Sequence, residues 1–401
     1  MKRIVAAIAF ALCVPAFAPA ALAAGKYDPG ASDTEIKIGN TWPFSGPASS
    51  TSPVERQMAG YFAMINDKGG VNGRKINFIA LDDGYMPPKT VEQTRRLVEQ
   101  DQVLFMYGQL GTPTNVAVRP YLNGKKVPQL FVTTGSNSLI DPKKYPWTMG
   151  FQSSYALEST VFAKYVLAER PNAKIGILYQ DDDFGSDHLD PFLAVLGDKA
   201  KKMVVAKASY AVTDPTVSSQ IISLKSAGAD TLYLIAQSRA AAQAVSAARD
   251  NGGQDLLIFL PFVATAKSVV GPVGDKLTGV ISTESTMDPT DPEWANDPAA
   301  KDYLAWVDKY TPEQDHASDA SSPLGYVSAE NMVEVLKRAG DDLTRDNIMK
   351  VATSIHDQSL PLLLPGILLN TSADDYFPIH TLQLKRYDGA RWVLTGKPIS
   401  G

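Results

Sequence analysis

The sequence predicts an α/β protein made of two doubly wound parallel-sheet lobes, and three observations carry that prediction. From residue 35 onward, short β-branched apolar runs alternate with amphipathic helical patterns, the mark of successive βαβ units. The alternation stops and restarts after Phe151, so there are two series rather than one. A chain of 401 residues with 44% hydrophobic content has enough apolar side chains for about two ordinary domains.

In the first series EIKIG (35–39) reads as a strand. A helix is expected over 54–68, stopped by Gly69-Gly70 as helices tend to be. KINFIALDD (75–83) is the next strand, and Pro87-Pro88 opens a helix over 89–100. VLFMYG (103–108), a helix over 113–122 and QLFVTT (129–134) complete the series. The second series runs from a helix over 155–169 to KIGILYQ (174–180), an acidic stretch and a helix, then VVAKASY (204–210). Next comes a helix over 216–227 with Val217, Ile221 and Leu224 on one face. TLYLIA (231–236), an alanine-rich helix over 240–249 and LLIFLPF (256–262) close it. GVISTES (279–285) and the Pro/Asp-rich loop MDPTDPEWANDP then lead into helices. In one of these, Ala329, Met332, Val333 and Leu336 form a core-facing stripe. HTLQLKRYDGARWVL (380–394) reads as a hairpin turning at Asp388-Gly389.

The N-terminus predicts export. Lys2 and Arg3 precede an apolar stretch over 4–17, and Ala21-Leu22-Ala23 is a cleavage pattern, so residues 1–23 read as a secretory signal peptide. The run is broken by Pro15 and Pro19 and falls short of a spanning helix. The single cysteine, Cys13, lies within it, leaving no thiol for catalysis or disulfides.

Charge and motifs exclude several functions. A net charge of −5 argues against nucleic acid or anionic membrane as a partner. His188, His316, His356 and His380 are scattered, and no GxSxG, phosphate loop or GxGxxG after a strand is present. YQDDDFGSDHLD (179–190) invites a metal reading. Its Asp181, Asp183 and Gly185 miss the EF-hand frame and no glutamate closes it. A solvated loop at a helix start is the simpler expectation, with Asp187 in the first helical turn favoured by the helix dipole. The chain is not expected to be an enzyme or to carry a metal or cofactor.

The signal peptide, IKIGNTWPFSGPAS, INDKGGVNGRKINFIALDDGYMPPK and YGQLGTPTN resemble the periplasmic solute-binding proteins of ABC transporters, in the leucine/isoleucine/valine-binding family. KIGILYQDDDFGSD and DPEWANDP match as well, so the resemblance covers essentially the whole exported chain. It implies the type I periplasmic binding fold, two lobes joined by a three-crossing hinge near Phe151, Thr278 and Phe377. Lobe 1 would be 33–150 plus 279–376, and lobe 2 151–278 plus 377–401. It further implies a periplasmic monomer that closes on a small ligand and docks on the transmembrane subunits of an ABC permease.

Carried over position by position, the family pattern places Thr112, Gly135 and Ser136 on a ligand carboxylate. Hydroxyls and N–H groups at loop and helix starts suit an anion without a buried arginine. Trp42 and Ser45 fall on a cleft-lining loop, and Phe184 covers the ligand from lobe 2. Members that bind α-amino acids present an acid after the strand equivalent to LLIFLPF, where this chain has Phe262. A buried ammonium without a partner is unfavourable, so the expected ligand is a carboxylate without an amino group, with an aromatic acid favoured. The alternatives are a branched-chain or other amino acid, a ligand sensor for a signalling partner, and a secreted metal-dependent hydrolase using the acidic stretch.

Overall fold

The computed structural model describes residues 25–315 and 318–400; the expected signal peptide, with Cys13, and His316 lie outside them. The first series forms β1 (Glu35–Trp42), α1 (Ser52–Asp67), β2 (Lys75–Asp82), α2 (Pro87–Glu99), β3 (Phe105–Tyr107), α3 (Thr112–Gly124), β4 (Gln129–Val132) and β5 (Thr148–Gly150). Its strands pair in parallel in the order β2-β1-β3-β4-β5. Ile38, Phe105 and Leu130 turn to one face of this sheet and join the larger core, while Val103, Met106, Val118 and Leu122 build a smaller one.

The second series follows as α4 (Tyr155–Glu169), β6 (Ile175–Gln180), α5 (Asp183–Leu196), β7 (Val204–Tyr210), α6 (Ser218–Ser226), β8 (Thr231–Ile235), α7 (Ser238–Asp250), β9 (Leu257–Phe259) and β10 (Ile281–Glu284). The chain returns to the first lobe through α8 (Pro298–Tyr310), α9 (Leu324–Ala339) and α10 (Arg345–Ala352), then ends in β11 (Thr381–Tyr387) and β12 (Trp392–Ser400). The second sheet has the order β12-β11-β10-β9-β8-β6-β7. It is parallel from β7 to β10, and β11 and β12 add an antiparallel hairpin. Every residue of β8 is buried, as a parallel strand covered on both faces must be, and a separate core lies on each side of the sheet.

One boundary departs from expectation. Residues 281–284 pair with β9 and β11 inside the second sheet, so 279–285 does not begin the return to lobe 1. The return comes just beyond, where Thr286 bridges Leu363 and the Met287 N–H donates to the Leu362 carbonyl. A short apolar run announces a strand but not its partners, which is why the sequence placed it in the wrong lobe.

Candidate functional site

The carboxyl ends of the strands of both lobes face one another across a cleft, where open α/β sheets bind ligands. The space is about 1400 Å³, open solvent at its mouth included. On the first lobe it is lined by Leu110, Gly111, Thr112 and Thr133, and by Tyr85 after β2. Gly111 precedes α3 with φ near 99°, and a Cβ there would meet the Tyr85 ring at 2.5 Å. Glycine therefore lets the start of α3 and the tyrosine share one corner of the cleft. The Thr112 and Thr134 hydroxyls share a hydrogen bond of 2.8 Å, and Thr134 donates to the Tyr155 phenol oxygen at 3.2 Å.

The second lobe supplies an aromatic wall. Tyr155 meets Phe184 edge-on at 5.4 Å and 87°, Phe262 lies 6.1 Å from it, and His188 stacks on it at 4.1 Å. The start of α5 fixes Phe184. The Asp182 side chain caps the helix by accepting from the Phe184 and Gly185 N–H groups at 2.9 and 3.4 Å. A Cβ on Gly185 would lie 1.8 Å from the Gln180 carbonyl oxygen, so only glycine allows the helix to begin against the end of β6. Phe184 is then driven into the wall, 1% exposed.

Behind Phe262 lies a buried carboxyl group. Glu158 Oε1 accepts from the Phe262 N–H at 2.9 Å and from the Thr283 hydroxyl at 2.6 Å, while Oε2 has no hydrogen-bond partner among the described residues. Burial pushes Glu158 up to about 8, against the pull of those two donors and of Lys385. Burial also pushes His188, whose Nδ1 is 3.9 Å from Glu158, down to about 3. Near neutral pH both groups are uncharged, so the wall is backed by neutral polar atoms.

Farther along the cleft, charges occur in pairs. Lys385 donates to Glu284 and to the Thr265 hydroxyl, each at 2.7 Å, and lies over the Trp392 ring at 4.9 Å. Burial pushes Glu284 up, but Lys385 and the N–H groups of Ser285 and Thr286 outweigh it and hold the group below the usual carboxylate range. Lys267 pairs with Asp288 at 3.0 Å, and Arg391 reaches Asp291 and Glu293.

Of the residues picked from sequence, Thr112, Phe184 and Phe262 line the cleft together. Trp42 does not: β1 continues through it, so it is a strand residue, 0% exposed, in the core of the first lobe. Ser45 is exposed on the adjoining loop and donates to Asp82 at 2.7 Å. Gly135 packs against Ser153 and Tyr155, and its carbonyl accepts the Tyr155 N–H at 2.8 Å. Ser136 gives its hydroxyl to Asp187 across the lobes. Tyr85, Gln152, Tyr155, Gln237, Glu284 and Lys385 also stand at the cleft, and none of them is among the site residues expected from sequence. Tyr85 alone had a visible signal, its place just past a strand end in LDDGY.

The lobes are fastened to one another. Asp187 on α5 accepts the Ser136 hydroxyl and, at 3.1 and 2.9 Å, the N–H and hydroxyl of Ser138, all from the first lobe. Gln237 donates to the Tyr85 hydroxyl. Asp187 is thus a cross-lobe latch and not a dipole partner of its own helix, while Asp181 and Asp183 are exposed. Among the described residues no group of three or more His, Cys, Asp or Glu could hold a metal ion, and no helix is long and apolar enough to cross a membrane.

Two α/β lobes closed over a lined cleft define a binding protein of the periplasmic type. The sequence model of that family, described as periplasmic binding protein, matches residues 35–390, and the chain belongs to this family, one of binding proteins and not of enzymes. It is similar to Leu/Ile/Val-binding protein homolog 7 of Brucella abortus (strain 2308), 27% identical over 228 residues, which are 54% of this chain and 55% of the relative. The chain thus spans about half the length of the first curated relatives it matches. Its fold is similar to that of a branched chain amino acid ABC transporter from Thermus thermophilus solved with bound valine, with TM-score 0.82, 15% identity and coverage of 92% and 97% of the two chains. A fatty acid ABC transporter substrate-binding protein from Thermomonospora curvata is similar too, with TM-score 0.78, 20% identity and coverage of 94% and 95%.

Proposed function

We propose that this chain is the periplasmic, monomeric solute-binding component of an ABC uptake transporter. It takes a carboxylate that lacks an α-amino group, an aromatic acid before an aliphatic one, and carries it to the transmembrane permease subunits. One observation carries the ligand class. Beside the start of α3 the cleft offers an aromatic wall, and the acids that line the cleft lie elsewhere: Glu284 pairs with Lys385, Asp288 with Lys267, Asp291 and Glu293 share Arg391, and Asp319 accepts from the Ser318 hydroxyl and the Asp315 N–H. Glu158 is turned away behind the Phe262 N–H. An ammonium entering this wall would lose its water without meeting a carboxylate on the wall itself. A carboxylate would meet Thr112 and the unpaired N–H groups at the start of a helix, both favourable.

An α-amino acid is the second reading. The relatives' names favour it, and so does Gln152, a buried cleft residue whose Oε1 has no partner among the described residues and could accept from an ammonium. A thermal-shift screen with benzoate, cinnamate, 2-oxo acids and leucine, isoleucine and valine separates the two. Stabilisation by the branched-chain amino acids alone would overturn the aromatic-acid reading.

A further inference from the structure

We infer that the cleft has a second ligand compartment over β10, β11 and β12, and that the acid it serves is elongated, with an uncharged, mainly apolar extension reaching into that compartment. This rests on the reading of the cleft as a carboxylate site.

The sheet gives the scale. The lining includes Phe184, just after β6, and Trp392, at the start of β12, five inter-strand steps away. At about 4.8 Å per step the strands are on the order of 20 Å apart, and a single-ring acid spans fewer than two such steps. A benzoate or a leucine on the aromatic wall would leave the far part of the cleft untouched.

Register then shows what the far part presents. Lys385 lies directly opposite Ser282 on β10 and Leu394 on β12, so the three share one face of the sheet. Glu284 and Trp392, two residues from Ser282 and Leu394, share it by the two-residue repeat. The cleft thus continues across a floor of Glu284, Lys385, Leu394 and Trp392. The short helix Lys267–Val270, which carries Val269, and, from the first lobe, Trp294 also border it.

The chemistry of that floor disfavours a second carboxylate and suits an apolar occupant. Both lysines there are neutralised where they stand, Lys385 by Glu284 and Lys267 by Asp288, so a second anionic group would have to break a pair to be held. Trp392 and Leu394 are only part-buried and belong to an edge strand whose later residues, Thr395 to Pro398, are exposed. Apolar side chains kept on the one stretch of β12 that faces the cleft are suited to covering a chain of methylenes or a second ring.

The test is calorimetric titration of the purified full-length chain with 4-alkylbenzoates, from benzoate to the octyl homologue. In these probes the carboxylate and ring stay constant while the chain grows. The expected result is binding three- to fourfold tighter per added methylene over the first several carbons. Leu394→Trp, which fills the compartment from its floor, is expected to erase the dependence on length, and its melting temperature without ligand reports whether the lobe still folds. A flat or falling series in the unaltered protein overturns the second compartment, as does a folded Leu394→Trp protein that keeps the length dependence. Benzoate itself checks the reading beneath. If benzoate binds and the series is flat, only the compartment falls; if no member binds, the acid site falls and the compartment with it.

Discussion

Asp187→Ala tests how closure contributes to affinity, because Asp187 touches the opposite lobe and does not line the cleft. Its carboxylate accepts from the Ser136 hydroxyl and from the N–H and hydroxyl of Ser138. A hydrogen bond to a charged group is worth about 1.5–3 kcal/mol net when buried. At this part-buried position water replaces much of that when the lobes part. We therefore assign the three bonds together about 2 kcal/mol of preference for the closed form, which is about 30-fold in the closed population. If the open form dominates without ligand, apparent affinity falls by the same factor, since only the closed state holds the ligand fully. Asp187→Asn keeps an oxygen for the Ser138 N–H and should lose only a few-fold. The assay is calorimetric titration with whichever acid the screen returns, paired with small-angle scattering to follow compaction on binding. The melting temperature of the ligand-free variants should hardly move, because the bonds join lobes and not the interior of either. Unchanged affinity in Asp187→Ala would refute the latch, and so would a ligand-free melting temperature that drops enough to account for the lost binding.

Other expectations follow from the same geometry. Glu158→Gln keeps the shape of the buried carboxyl but cannot ionise. In the native protein Glu158 is raised from 4.5 to about 8, so the stability it contributes is full below pH 4.5 and is lost as pH rises through 8. The ceiling on that loss is of order 5 kcal/mol, and melting temperature against pH should flatten in the variant between pH 5 and 8; an unaltered slope would count against a neutral Glu158. Phe184→Leu should cost about 1 kcal/mol of stability and weaken an aromatic acid more than an aliphatic one, measured by titration of both. Phe184→Ala, at about 3–5 kcal/mol, would mix folding with binding. Trp42→Phe should lower the melting temperature while ligand affinity stays put, and a selective loss of affinity would return Trp42 to the site. Asp181→Asn, on an exposed side chain, should alter neither quantity.

What could be read beforehand depended on how local its cause was. The buried parallel strands announced themselves as apolar runs, and Phe184 was placed by the family resemblance, while the Asp182 cap and the close approach of Gly185 that fix it became visible only in the structure. Trp42 was misplaced for an equally local reason. β1 runs to residue 42 rather than stopping at 39, and three more strand residues carry the indole from a loop into the core. The Glu284–Lys385 pair was beyond reach, because its partners are 101 positions apart and meet only after β11 inserts beside β10. Tyr85 has φ near 61°, a conformation uncommon for a bulky residue; its place past a strand end is legible in LDDGY, but the bend that aims its ring into the cleft is not.

The acidic stretch in YQDDDFGSDHLD shows why a run of like charges is a poor unit of function. Asp182 is turned inward to cap α5, and Asp187, beyond the first turn, reaches the other lobe. Asp181, Asp183 and Asp190 face solvent. Their partners pull these carboxylates apart, and among the described residues no group of three or more His, Cys, Asp or Glu could hold a metal ion. What the aspartates do share is a consequence for Phe184, which one of them fixes at the helix start and another encloses by holding the lobes together. The charge belongs to the frame of the cleft, and the uncharged ring within it is the part that lines the cleft.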